Sequence, residues 1–451
     1  MMAVTRSGSR SRRVVVPVAA TVTLVMLGAS LTTCGGGGEA SPVTVFTPET
    51  GRELAVARQV LTEFGEDHGI AIEVEGTRDF ESLIESQIAA GDPPDIGLYA
   101  QPGTVRGLAA EDELAAISEA NEDLVRANAD PTLAELVTTD GGESGPDDDE
   151  ILAIPVKADL KSLVWYSPGV FAEHGYDVPD TFEGFGDLVQ QMAADGNPAF
   201  CVGLRSGDSS GWPLTDWVED FLLRVEDPEV YDQWVAHEIP FDDPRVVAAA
   251  EMVVGLWRQD GVVFGGPEAA VVTDFGDAAL PVLDGECMMV RGANFQGVSW
   301  PAGTTFGPDG DVDAFVLPGS AEHPNVALTG GQFAAPFDDR PEVRQVLDYL
   351  ASPEYAEDVV RIAYRGDDPL ARAGSFLAAA ETLPLSHYPE GLSRDIAQAR
   401  RSAGPVRFDA SDRMPRIVGS GTFWSAAIDV TLGTESVATA FAEVEASWPD
   451  G

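Results

Sequence analysis

Residues 42–99 alternate between β-branched runs and helical periodicity, and this alternation limits the fold more than any other feature of the chain. Residues 42–46 alternate in the manner of a strand. From Gly51 onward, Leu54, Val56, Ala57, Val60, Leu61 and Phe64 recur near helical spacing. Residues 70–74 read as a second strand. Asp79 is placed to cap a helix that carries Phe80, Leu83, Ile84 and Ile88. Residues 91–95 turn, and residues 96–99 make a third strand. Strand, helix, strand, helix, strand is the pattern of an open α/β domain with a mostly parallel sheet. Ligands of such sheets sit beyond the carboxyl ends of the strands. Residues 47–51, 76–79 and 99–103 therefore form the expected ligand-side rim.

The start of the chain decides the compartment. Arg6, Arg10, Arg12 and Arg13 precede an apolar run over residues 14–27. That run has the length of a signal-peptide core and is too short and interrupted for a comfortable membrane span. Residues 31–34, Leu-Thr-Thr-Cys, then lead into four glycines. A cysteine after an export segment and before a flexible linker looks like a bacterial lipobox. Cys34 would carry the lipid, residues 1–33 would be removed, and residues 34–41 would be the lipidated cysteine and linker. Thr33 is bulkier than the usual residue there, and an ordinary secretory signal is the alternative. Residues 11–16 also resemble a twin-arginine signal.

The remainder is long enough for two domains with sizeable cores. It is strongly acidic: the chain has 27 basic residues, four of them in the leader, against 75 acidic ones. That excess argues against nucleic acid and against adhesion to anionic lipid, and it suits a soluble, self-repelling protein outside the cell, expected to be a monomer. Only Lys157 and Lys161 are lysines. Cys201 and Cys287 are an even pair in an oxidising compartment, and a disulfide between them is expected. It would close a loop of about 85 residues, worth on the order of 4–5 kcal/mol in the chain-entropy model. Two buried free thiols are the alternative. The five histidines are scattered, and no metal motif can be built from them.

Further along, residues 151–155, 162–166, 200–204, 284–290 and 313–317 read as strands. Residues 182–194, 216–223 and 246–258 read as helices, and from Pro341 the chain is largely helical. The acidic run 147–150 reads as a solvated hairpin tip, because the spacing of a calcium loop is missing. Residues 207–211, Gly-Asp-Ser-Ser-Gly, fit the nucleophile pattern of serine hydrolases, with His323 or His387 as candidate bases for Ser209. The context argues against it, since Gly211-Trp212-Pro213 follows and no oxyanion glycine run lies upstream. A glycosidase would find carboxylate pairs in abundance, but abundance is uninformative. An adhesion module would predict repeats, and none occurs.

Several motifs together resemble the extracellular solute-binding proteins of carbohydrate ABC importers. They are the lipobox, the Gly-Asp-x-Pro-Asp-Ile turn at 91–96, and the strand at Ile154-Pro155 running on to Leu163-Val164-Trp165-Tyr166-Ser167-Pro168. Gly421-Thr422-Phe423-Trp424 and an alanine-rich amphipathic tail complete the set. Gly211-Trp212-Pro213-Leu214-Thr215-Asp216-Trp217, residues 230–234, residues 273–277 and Gly330-Gly331 are similar to the α-glucoside-type branch. The resemblance implies a two-lobed periplasmic-binding-protein-like α/β fold, with a hinge and an interlobe cleft. It also implies no reaction and no cofactor. One lobe would comprise 42–155 plus 332–380, the other 156–331 plus 381–451. The implied partners are a sugar and the permease subunits of the importer, with the membrane reached through the lipid on Cys34. A pyranose has apolar faces for aromatic rings and a rim of hydroxyls for polar groups. On the resemblance, Trp424, Trp212 and Phe295 would be cleft aromatics, while Tyr99 and Gln101 follow a rim strand. Lys157 lies at the crossing between lobes, and Asp208, Asn294 and Gln332 in matching loops. Lys157 replaces an acid found in some relatives, which admits an anionic or differently linked sugar. Trp165, Trp217, Trp234 and Trp257 read as core.

Overall fold

The computed structural model describes residues 41–139, 149–366 and 373–449. The leader, Cys34 and part of the acidic run at 147–150 lie outside these residues. Thr139 and Glu150, bonded N to O at 2.8 Å, and a bridge between Thr138 and Ile151 close the base of that connection.

The N-terminal alternation folds as expected. β1 (Val43–Thr47), β2 (Ile72–Gly76) and β3 (Ile96–Tyr99) pair in parallel, with β1 in the middle. The helices Gly51–His68 and Phe80–Ala90 connect them. The first ends where Gly69 adopts φ +69° and its N–H bonds the Gly65 carbonyl, a left-handed cap that suits glycine. Asp79 occupies the N-cap of the second helix without a side-chain capping bond.

β4 (Ile154–Leu160) and β5 (Leu163–Tyr166) come next, followed by β6 (Met289–Arg291), β7 (Asp313–Val316), β8 (Ala327–Pro336), β9 (Leu377–Ala378) and β10 (Val406–Phe408). The larger sheet has the order β2-β1-β3-β8-β4-β9, with β10 alongside β8. The smaller sheet is β6-β5-β7, antiparallel throughout. Consecutive strands β4 and β5 thus belong to different sheets, with only Lys161 and Ser162 between them. This is a two-lobed α/β fold with a cleft between the lobes.

Several expectations are corrected. Residues 200–204 are not a strand: Phe200 makes single bridges to Val263 and Met289, and a Cβ on Gly203 would collide with the Asp274 carbonyl. Of residues 284–290 only the end is extended, because Gly285 turns the chain at φ +68°. The strand expected at 151–155 instead runs from Ile154 through two charged residues to Leu160. β8 was not anticipated at all. Gln332, expected in a loop, lies within it, and all ten residues are buried, with neighbours on both edges. Trp165, Trp217, Trp234 and Trp257 are core, as read. Cys201 and Cys287 form a disulfide with their Cα atoms 5.7 Å apart. It joins the segment after the helix Phe182–Asp195 to the approach to β6.

Candidate functional site

The three rim turns converge on one cavity of about 110 Å³. Pro48 and Glu49 follow β1, Arg78 follows β2, and Ala100 and Gln101 follow β3. The facing wall is made by Ser206, Ser209, Trp212, Phe275, Phe295, Asp412 and Trp424. β4 and β8 supply Lys157, Asp159, Gly331 and Gln332, and Lys161 follows β4.

Side chains two apart on a strand share a face, so Lys157 and Asp159 project together from β4. Lys161 continues the series. Gly330 lies opposite Asp159 in the β4–β8 register. A Cβ there would stand 2.8 Å from Lys161 Cε, and one on Gly331 would stand 2.6 Å from the Lys157 carbonyl oxygen. The glycine pair therefore makes room for the lysines. Both lysines of the chain are in this cavity, and both are buried.

A buried ammonium must be paired. Lys157 Nζ donates to Glu49 at 3.2 Å and Glu53 at 2.6 Å, both delivered from the β1 side. Lys161 Nζ reaches Asp216 at 3.2 Å, Asp412 at 3.5 Å and also Asp409. Arg291 extends this second network to Asp216 at 3.2 Å and Asp220 at 2.7 Å, and Arg224 holds Asp220 at 2.6 Å. Burial works against both ammonium charges, but the surrounding carboxylates hold both lysines well above their usual range. The acids divide. Burial raises Glu49, Glu81 and Asp159. Burial pushes Asp216 up to about 7, with Asp409 adding to it against the pull of Lys161 and Arg291. Burial opposes the charge of Asp220, yet Arg224 and Arg291 hold its carboxyl below the usual range.

The aromatic part is a trio. Trp212 packs edge-to-face on Phe275 and Phe295, with centroids 5.2 and 5.9 Å away. Each ring carries one cation: Arg78 over Phe275 at 5.0 Å, Lys157 over Phe295 at 5.6 Å, and Lys161 over Trp212 at 5.6 Å. Gly211, at φ +110°, leads into the helix Trp212–Val225, and a Cβ on it would overlap the Trp424 carbonyl. That close approach brings Trp212 and Trp424 to one wall. Trp424 itself is nearly buried, and its Nε1 donates to Ser411 Oγ at 3.1 Å.

Of the residues singled out in the sequence, Trp424, Trp212, Phe295, Gln101, Lys157 and Gln332 line the cavity. Three do not. Tyr99 is buried behind its strand, edge-on to Phe80 at 5.1 Å. Asn294 is a buried clamp that accepts from Leu160 N at 2.7 Å and donates to Ser375 O at 3.0 Å. Asp208 points to Ser82 N at 3.4 Å. Sequence reading missed Glu49, Glu53, Arg78, Glu81, Asp159, Lys161, Phe275 and Asp412. The rim turns already contained Glu49 and Arg78, and the rarity of lysine marked Lys161. Asp412 carried no signal, because only the tertiary fold brings it to β4.

Ser209 lines the cavity, but its Oγ donates to Glu81 at 3.3 Å. His323 lies 3.6 Å from Asp227, and neither it nor His387 lines the cavity. Among the described residues, no group of three or more His, Cys, Asp or Glu side chains is placed to hold a metal ion.

The family model for bacterial extracellular solute-binding proteins matches residues 48–357. The chain is 34% identical to the osmoprotective compounds-binding protein GgtB of Synechocystis sp. over 437 residues, covering 95% of this chain and 98% of that one. It is 32% identical to the alpha-glucosides-binding periplasmic protein AglE of Rhizobium meliloti over 413 residues, covering 90% and 86%. Among solved structures, the bacterial solute receptor AcbH superposes with a TM-score of 0.73 at 18% identity, covering 90% of this chain and 97% of that one. The raffinose complex of RafE superposes with a TM-score of 0.66 at 14% identity, covering 90% and 98%.

Proposed function

The chain belongs to the bacterial extracellular solute-binding protein family, and from that premise we propose that it captures a sugar of the α-glucoside class and delivers it to the permease of an ABC importer. The observation that carries this reading is the cavity. Trp212 and Trp424 offer apolar faces, while Gln101, Gln332, Asp159 and Glu81 offer hydrogen-bonding edges. Rings for the C–H faces and polar groups for the hydroxyl rim are what a pyranose requires. A volume of about 110 Å³ is below the ordinary range of ligand pockets, which favours one or two sugar rings over a long oligosaccharide.

The site residues of this reading are those that line the cavity. One lobe is built on the larger sheet, from 42–155 plus 332–380 together with the remainder of β4 and β8 and with β10, and the other on the smaller sheet, from the rest of 156–331 and 381–451. The protein binds without turnover: Ser209 faces a carboxylate where a hydrolase needs a histidine. It works as a monomer held outside the cytoplasmic membrane by a lipid on Cys34. Among the described residues no helix is long and apolar enough to cross a membrane.

A thermal-shift screen of the compact unit Ser41–Gly451 against mono-, di- and trisaccharides tests the reading. A ligand at a hundred times its Kd stabilises by about 2.7 kcal/mol. A mono- or disaccharide is expected to shift the melt, and a panel without any shift refutes the sugar assignment.

A further inference from the structure

Asp159 stands at the centre of the cavity face of β4, with a lysine two residues away on either side. Both lysines are committed elsewhere: Lys157 to two carboxylates, Lys161 to three. Asp159 is 5% exposed, and its Oδ1 has no hydrogen-bond partner. An ionised carboxylate only accepts, and a buried acceptor left unmade is costly. Most buried polar atoms find a partner within the protein. Here a lining group keeps one oxygen free while the neighbouring cations are bonded by other acids. That pattern calls for a donor from outside.

We propose that Asp159 is the polar anchor of the ligand, accepting from its hydroxyls, and that it restricts the site to neutral sugars. The proposal rests on the sugar reading above. The lining charges support its second half. Glu49, Glu53, Glu81, Asp159 and Asp412 face Arg78, Lys157 and Lys161, so acids outnumber cations. A carboxylate or phosphate on the ligand would meet that excess without an uncommitted lysine to receive it. Lys157 is therefore not an anion receptor, despite its place in the cleft.

The test is calorimetric titration of maltose, trehalose, sucrose, glucuronic acid and glucose 1-phosphate into the wild type and Asp159→Asn, with melting curves of both empty proteins. At least one disaccharide is expected to bind the wild type, and neither anion. Asp159→Asn should weaken that disaccharide by about ten-fold or more, as expected for a lost charged hydrogen bond. The same variant should melt at or above the wild-type temperature, because it removes a buried carboxylate charge whose Oδ1 has no hydrogen-bond partner. A residue with a purely structural role would lower the melting temperature. If Asp159→Asn does not fold, Asp159→Ser takes its place in both measurements. Wild-type affinity in the variant overturns the anchor alone, as does a lowered melt with affinity kept. Tight binding of either anion overturns the selectivity. If no mono- or disaccharide binds the wild type, the sugar reading fails and the anchor falls with it.

Discussion

Trp212 and Trp424 share a wall but differ in what else they hold. Trp212 is partly exposed and packs T-shaped against Phe275 and Phe295. Trp424 is 3% exposed and bonded to Ser411. Trp424→Ala should cost about 2–4 kcal/mol of sugar affinity, the range of a buried hot-spot aromatic. It should also cost about 3–5 kcal/mol of stability through the cavity it leaves. Trp212→Ala should lose comparable affinity with a smaller drop in melting temperature. Titration and melting curves of both variants separate the two effects. Unchanged affinity in Trp212→Ala would place the sugar off that ring, and a wild-type melt in Trp424→Ala would remove the ring from the core. From sequence alone Trp424 is an expected cleft aromatic. The structure adds the packing role, which no local pattern around Phe423-Trp424 reveals.

At the level of elements, the helix Trp212–Val225 carries the unusual chemistry. It buries Asp216, Glu219, Asp220 and Arg224 completely, or nearly so. Burial holds Asp216 up at about 7, and burial with Asp409 beside it raises Glu219 well above the carboxylate range. Asp220 and Asp409 lie below that range. An acid raised in the folded state takes up a proton on folding. Its contribution is fully present below the unfolded value of 3.8 for aspartate and is lost as pH rises toward the folded value. The two lowered acids lose their contribution only below that unfolded value, so they do not act in the same window. The melting temperature of the empty protein should therefore fall as pH rises from about 5 to about 7, at up to about 1.4 kcal/mol per pH unit for one group. Asp216→Asn should flatten the slope. A melt that rises with pH across this window would contradict the raised carboxyls. The helix was partly legible, since residues 216–223 read as helical. Its charged residues look like a solvated face in sequence and become interior only because Lys161, Arg291 and Asp409 surround them.

At the scale of the whole molecule, contacts cross from one wall of the cavity to the other. Ser209 bonds Glu81 at 3.3 Å, Gln101 bonds Asp412 at 3.2 Å, and Arg416 bonds Glu85 at 2.8 Å. These contacts join the rim turns and second helix of the larger sheet to the facing wall. A hinge opening about the chain crossings, of which Lys161-Ser162 is one, would part such contacts. A ligand that touches both walls favours the closed arrangement by its differential affinity. Small-angle scattering should therefore show a smaller radius of gyration when the binding disaccharide saturates the protein. An unchanged radius at saturation would mean that occupancy is not coupled to closure.

The sequence by itself determined the elements with local periodicity and the turns between them. The first three strands, their two helices and the rim at residues 47–51, 76–79 and 99–103 were legible because each is encoded within a few residues of itself. The cysteine pairing was legible because compartment and count left one pair. Only the tertiary structure decided which strand lies at the centre and which charges are spent. Gly330-Gly331 becomes the middle of a sheet by pairing with β4, 170 residues away between Asp159 and Thr329. Lys157 and Lys161 become structural cations because Glu49, Glu53, Asp216, Asp409 and Asp412 reach them from three separate segments. Asp159 is left with a free oxygen for the same reason. Local sequence encodes backbone geometry, whereas the pairing of a buried charge depends on every segment that packs around it.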